Sequence, residues 1–237
     1  MISVVSLDAD FMIKYLTELH ITDNITVHIT TTHVAMWIVT IFILILAVIA
    51  RVKINKAEAS ATPGTYQNIA ELVVEMLGNM VSTSMGINAR RFVNYISALF
   101  IFILVSNLGG VFGLRPPTAD YGVTLPLGLI TFGMVHYCGI KKNKIGHFTA
   151  LFKPFALLFP INLIGEFAVP LSLSLRLFGN VMSGTVLMGL IYGLLPIFVK
   201  LGIPAFGHVY FDVFSGCIQT YVFSMLTMVY VNDKIAD

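Results

Sequence analysis

FALLFPINLIGEFAVPLSLSLRLFGNVMSGTVLMGLIYGLLPIFV, Phe155 to Val199, runs for 45 residues with two charges, Glu166 and Arg176. A membrane crossing takes about 20 mainly apolar residues. The stretch is therefore either two spans joined by a hairpin or one over-long helix of about 68 Å. No Asn-Gly or Pro-Gly hinge marks a turn in its middle, so it reads as one long, steeply tilted helix. Arg176 is its costly residue. A cation at mid-membrane depth costs about 2.5–3.5 kcal/mol on insertion scales and about 10–17 kcal/mol in simulations of a lone helix.

The rest of the chain also fits lipid. Of 237 residues, 57% are hydrophobic and only 11% charged, with a mean hydropathy of +0.88. Soluble domains carry about 25% charged residues. A net charge of +2, scattered along the chain, argues against nucleic acid as a partner. Further apolar runs lie at 34–50, 92–114, 121–140 and 201–231; the last has Asp212 as its only charge. Together they predict an all-α integral membrane protein with about five crossing helices, the last two long and steeply tilted, forming one domain over 1–237 that begins with an external segment, 1–33. Beyond Pro63-Gly64, residues Ile69, Leu72, Val73, Met76, Leu77, Met80 and Val81 recur at helical spacing, with Glu71 and Glu75 opposite. That pattern predicts a membrane-surface helix over 64–88 on the cytoplasmic side.

Basic residues orient the crossings. With the N-terminus outside, ten are cytoplasmic: Arg51, Lys53, Lys56, Arg90, Arg91, Lys141, Lys142, Lys144, Lys153 and Lys234. Three are external, Lys14, Arg115 and Lys200, as the positive-inside rule favours. Splitting the fourth run would move only Lys200 inward and Lys234 outward, so charge alone does not exclude the hairpin. The first residues lack a basic n-region and a long apolar h-region, so no cleavable signal peptide is expected. The Asn24-Ile25-Thr26 sequon is too short a pattern to carry weight. Cys138 and Cys217 each fall in an apolar run and read as buried, unreactive thiols.

Charge inside a membrane marks function by default. Ser172, Arg176, Asn180 and Ser183 share a helix face by their spacing. On the last helix His208, Asp212, Ser215 and Gln219 form a second polar stripe. With Glu166 nearer the cytoplasmic end, two polar faces with acids offset from one arginine suit an ion or water path. Interhelical hydrogen bonding is the other reading of the serines, Asn180 and Gln219, and a structural pair with Glu166 or Asp212 is the other reading of Arg176. Gly109/Gly113 and Gly189/Gly193 fit small-residue helix packing. His136 and His208, near span ends, fit interfacial packing better than catalysis. No phosphate-loop, nucleophile-elbow or zinc-hydrolase motif appears, so ion transfer fits better than bond cleavage and no cofactor or metal is expected.

The run LRLFGN, Leu175 to Asn180, resembles the arginine motif of subunit a of the F-type ATP synthase. NLGGVFGLRPPTAD (Asn107 to Asp120), GIKKNKIGHF (Gly139 to Phe148), PINLIGEFAVPLSLSLR (Pro160 to Arg176) and QTYVFSMLTMVYV (Gln219 to Val231) resemble further blocks of that family, in order. The resemblance implies a non-catalytic ion-channel subunit of a bacterial plasma-membrane complex. Its implied partners are a ring of small two-helix c subunits, the peripheral-stalk b subunits and the bilayer. It also implies that Arg176 faces the ring carboxylate, with Gln219 and Asn180 nearby and Glu166 in a cytoplasmic half-channel. Asn107 and Asp120 match family polar positions. Where relatives often carry an acid or His nine residues after the arginine, this chain has Thr185. Asp212 stands seven before the glutamine, where His or Glu is frequent, so Asp212, aided by His208, is assigned the external half-channel. The carried ion, proton or sodium, stays open. A secondary transporter with an arginine–carboxylate gate is the alternative, but it lacks the expected paired repeats and broken helices.

Overall fold

The computed structural model describes residues 15–22, 25–55, 64–152, 155–194 and 202–235. Lys14, Lys56, Lys153, Lys200, Pro63 and Asn24 lie outside them. Two strands, β1 (Tyr15–Thr22) and β2 (Ile25–Thr30), pair antiparallel ahead of the helices. The sequence reading had not placed strands there. The described residues after them are almost all helical. In hydrocarbon each backbone N–H and C=O must bond within its own segment, so even Ile- and Val-rich runs, weak helix formers in water, become helices.

The first helix, α1 (Thr31–Asn55), leaves Trp37, Phe42, Leu44 and Val48 exposed, a lipid-facing surface rather than a core one. Next, α2 (Thr65–Met85) meets α3 (Ala89–Leu108) through a turn at Gly86, whose φ of 54° suits glycine. Only the C-terminal half of the α2 apolar face is covered by this chain: Leu77, Val81 and Met85 are buried, whereas Ile69, Leu72, Val73 and Met76 are exposed. The helix α4 (Tyr121–Asn143) starts where Asp120 Oδ1 accepts the Gly122 N–H at 2.9 Å, an N-terminal cap. A short α5 (Ile145–Thr149) leads to α6 (Phe159–Leu194), one unbroken helix of 36 residues with Pro170 inside it. The fourth apolar run is thus no hairpin. The last passage is α7 (Ile203–His208), a π-helical segment (Val209–Ser215) and α8 (Gly216–Ile235).

Among the described residues, five helical stretches are long and apolar enough to cross a membrane: 31–54, 65–112, 121–143, 159–193 and 204–235. Two apolar clusters join all of these but the first. Val81 and Met85 of α2, Phe92 and Ile96 of α3, Val135 and Cys138 of α4, and Met228 and Val231 of α8 form one. Leu99 and Ile103 of α3, Leu173 and Leu177 of α6, and Phe223 of α8 form the other. The helices α4 and α6 meet at Gly128, where a Cβ would stand 2.7 Å from the Pro170 carbonyl oxygen.

Three expectations change. Cys138 is buried but Cys217 is exposed. Gly109 and Gly113 are not a packing pair: a Cβ on Gly113 would meet nothing within 4 Å, and its φ of 73° makes it the left-handed end of a 3-10 turn. Close helix contact falls instead at Gly128, Gly184 and Gly216. Finally, the stripe from His208 to Gln219 is not a plain α-helical face, because Val209–Ser215 is wound as π-helix.

Candidate ion-translocation site

The long helix α6 carries the central residue. Leu173, Ser174 and Leu177 are buried against α3, α4 and α8, which turns Ser172, Arg176, Gly179, Asn180 and Ser183 to the exposed side. Among the described residues the Arg176 side chain makes no hydrogen bond or ion pair. The two acids that could have neutralised it are engaged elsewhere: Glu166 accepts from Lys234 Nζ at 2.7 Å, and Asp212 Oδ2 lies 2.5 Å from His208 Nδ1.

On the N-terminal side of Arg176, a cavity of about 770 Å³ is lined by Asn162, Gly165 and Glu166 of α6, His147 of α5, and Asp233 and Lys234 of α8. The Glu166–Lys234 pair spans its wall, with both side chains partly exposed. His147 Nε2 lies 3.0 Å from His136 Nδ1, and its ring packs so closely on Gly139 that a Cβ there would approach within 2.5 Å. Burial, and then the Lys234 charge, push the His147 pKa below its ordinary value, against the smaller opposing pull of Glu166.

On the C-terminal side of Arg176, a second cavity of about 340 Å³ is lined by Thr185, Gly189 and Tyr192 of α6, by Gly110 and Arg115, and by His208 and Asp212. Thr185 shares this cavity with Asp212, although its hydroxyl donates to the Val181 carbonyl. Asp212 sits in the π segment, an arrangement frequent at functional sites because it re-aims one side chain without breaking the helix. Gly110 makes room for the acid: a Cβ there would stand 2.8 Å from Asp212 Cγ. Buried Asn107 braces this side, donating to the Gly216 carbonyl at 3.1 Å and to Thr220 Oγ1 at 3.3 Å and accepting from Thr118 Oγ1 at 2.6 Å. Asn107 and Asp120 therefore have framework roles here, as interhelical bond and helix cap. Ser215 and Gln219 are half-buried, and Ser183 donates to the Asn180 carbonyl.

A family model described as ATP synthase A chain matches residues 33–232 of this chain. The chain belongs to the ATP synthase subunit a family. The "ATP synthase subunit a, sodium ion specific" of Propionigenium modestum is 35% identical over 226 residues, 88% of this chain and 75% of that protein. Subunit a of Bacillus pumilus is 35% identical over 201 residues, covering 75% and 82% of the two chains. "ATP synthase subunit a 3" of Pelobacter propionicus is 31% identical over 233 residues, 96% of each. As a member of the subunit a family, the chain is a multi-pass membrane component of the ATP synthase complex.

Sequence reasoning passed over three groups that this subunit a fold brings to the cavities. Lys234 reaches Glu166 across 68 positions of sequence, a pairing that no local pattern signals. Tyr192 lies 2.9 Å from His208 Nε2, yet at the end of an apolar run it carries only the signal of an interfacial anchor. His147 stands in the basic loop block and contacts a helix eleven residues back.

Proposed function

We propose that this chain is the ion-conducting stator of a rotary ATP synthase, itself without catalytic groups, passing ions to and from carboxylates on a rotating ring of small c subunits. The observation that carries the reading is an exposed Arg176, unpaired among the described residues, between two cavities set to either side of it on one helix. Glu166 lies ten residues before Arg176 and Thr185 nine after, offsets of about 15 and 14 Å along a helix. The larger cavity is the cytoplasmic half-channel, ending at Glu166, and the smaller is the external one, ending at Asp212. That assignment places the N-terminus outside and the C-terminus in the cytoplasm of a bacterial plasma membrane. The peripheral-stalk b subunits would hold the chain still while the ring turns.

Elementary electrostatics gives the mechanism. A ring carboxylate crossing lipid must be neutral, with a proton or cation bound, because a bare charge there costs many kcal/mol. Opposite a fixed guanidinium at about 4 Å, with an effective dielectric near 20, the charged form gains about 4 kcal/mol. That is about three pKa units, enough to release the ion. The freed carboxylate then takes a new ion from the other half-channel as it leaves Arg176. The same positive charge bars ions from slipping directly between the cavities. Arginine suits the task because it stays protonated, whereas a lysine sheds its charge on burial. Gly179, Asn180, Ser172 and Ser183 surround Arg176 with short side chains, leaving space for a ring helix to approach; Gln219 lines the neighbouring helix.

The test is Arg176→Ala in the assembled complex. ATP-driven ion pumping and gradient-driven ATP synthesis should both vanish while the complex still assembles. Normal pumping in that variant would refute the reading.

A further inference from the structure

We propose that the aromatic cavity where α4, α5 and α6 meet binds a lipophilic aromatic amine, with its rings among phenylalanines and its ammonium on Glu166. The cavity has a volume of about 430 Å³ and adjoins the larger cavity, sharing Phe132, His147, Leu151 and Glu166 with it. Phe132 comes from α4, Phe148 from α5, Phe152 from the 3-10 turn Ala150–Phe152, and Phe159 and Phe167 from α6. The rings hold one another in place. Between centroids, Phe132 lies 5.6 Å from Phe167 and 4.1 Å from His136. His136 lies 5.2 Å from His147, which lies 5.5 Å from Phe148. Phe152 and Phe159 stack at 4.5 Å. Such a lining is formed before a ligand arrives, which lowers the cost of ordering it on binding. Yet Phe148 and Phe167 are each 54% exposed, so ring surface is left for a visitor.

Charge decides what that visitor is. A lipid tail would fill the space but leave a carboxylate uncompensated at its inner end. Glu166 gives Oε1 to Lys234, and among the described residues its Oε2 accepts no hydrogen bond. Asp233 and Lys234 are the other charged residues lining the two cavities. Two acids thus face one base, a net charge of −1 with the histidines neutral. A primary ammonium supplies three donors and the missing positive charge. The negative faces of the phenylalanine rings attract the same cation, the more so where water is excluded. An anion or a neutral ring compound meets only part of this. Because Glu166 also ends the larger cavity, an ammonium bound there closes that route to ions. This consequence, unlike the site itself, rests on the half-channel reading.

The test uses 4-benzoylbenzylamine, whose benzophenone inserts into nearby C–H bonds under ultraviolet light, and its neutral counterpart 4-benzoylbenzyl alcohol. Each is applied to the intact complex in proteoliposomes; labelled peptides are mapped by mass spectrometry and ATP-driven pumping is measured. The amine should label residues between Phe132 and Phe167 saturably, at a concentration about tenfold or more below that of the alcohol. Pumping should fall over the same range. Glu166→Gln should remove the amine's advantage in labelling. Phe148→Leu should raise the half-saturating concentration about tenfold, the scale of one desolvated cation–π contact. Phe148 lines the aromatic cavity and not the larger one, so pumping without the amine should be normal in that variant. Any general loss of gradient caused by the amine is common to both chains, and the shift between them reports the site. Equal labelling by amine and alcohol would reduce the cavity to a slot for lipid tails and overturn the proposal, as would labelling confined to other parts of the chain. Selective labelling with undiminished pumping would uphold the site and refute the half-channel assignment of Glu166. Phe148→Leu keeps the test open should Glu166→Gln not assemble.

Discussion

At the scale of single residues, the site depends on where charges are satisfied and where one is not. Glu166 has Lys234 and Asp212 has His208, so neither acid neutralises Arg176, and among the described residues the guanidinium has no partner. A pair with either acid would have stabilised the chain and cancelled the field that the mechanism needs. The Asp212 pair in turn depends on close backbone approach. Gly110→Ala would place a methyl 2.8 Å from the Asp212 carboxyl carbon, a separation that real Cβ contacts do not tolerate. The carboxylate must swing away from His208, and a charge-assisted hydrogen bond is worth about 1.5–3 kcal/mol. The expected outcome is an assembled complex whose uptake from the external side falls about tenfold or more, while release on the cytoplasmic side is unchanged. Rates from vesicles of opposite orientation measure this. Equal loss from both sides would mean that Gly110 supports the fold rather than Asp212.

At the scale of elements, the long apolar runs declare themselves, because length and the absence of charge suffice to specify a membrane helix. The 36-residue α6 and its arginine were legible for that reason, and so was the exposed Arg176 face, fixed by the spacing of 172, 176, 180 and 183. The π winding of Val209–Ser215 was not. It is set by how His208, Asp212 and Gly216 meet α3 and α6, information absent from the segment's own periodicity. The α4–α5 corner was hidden in the same way. There His147 is buried, meets His136, and lies under the influence of Lys234 and Glu166. Its folded pKa is lowered, so the opened corner binds a proton at higher pH than the closed one does. The stability this contact gives is therefore present above the ordinary histidine value of about 6.5 and is lost as pH falls through it. Hydrogen exchange at the α5 amides should accelerate between about pH 7 and 5.5 beyond its intrinsic pH dependence. His147→Gln should abolish that extra acceleration. A flat, protected corner across this range in the unaltered chain would show that His147 is not held neutral there.

At the scale of the whole molecule, one face of the protein is finished by this chain and another is not. The two apolar clusters close the interior of α2, α3, α4, α6 and α8, while α1 turns its large side chains outward and lipid can cover them. The Arg176 face is different in kind, since lipid covers a row of small and polar side chains poorly and offers an arginine no counter-charge. Under the proposed function, a passing helix with a carboxylate would cover it well. This contrast separates damage to the chain from damage to its docking. A Cβ at Gly179 would meet nothing within 4 Å, so the chain itself has room for a larger residue there. Gly179→Leu should insert in the membrane and resist heat as the unaltered chain does; a leucine is also a better helix former than glycine, by about 0.8–1 kcal/mol. In the complex the same leucine would stand one turn from Arg176, in the space a ring helix must use, and would hold the ring carboxylate away from the guanidinium. Attraction between the two falls with distance, so the ion is released less readily and rotation stalls. Pumping should fall at least tenfold in a complex that still contains the ring, or the ring should no longer co-purify with the chain. Full pumping with leucine at 179 would place the ring on some other face and leave Arg176 without the carboxylate that its exposure implies.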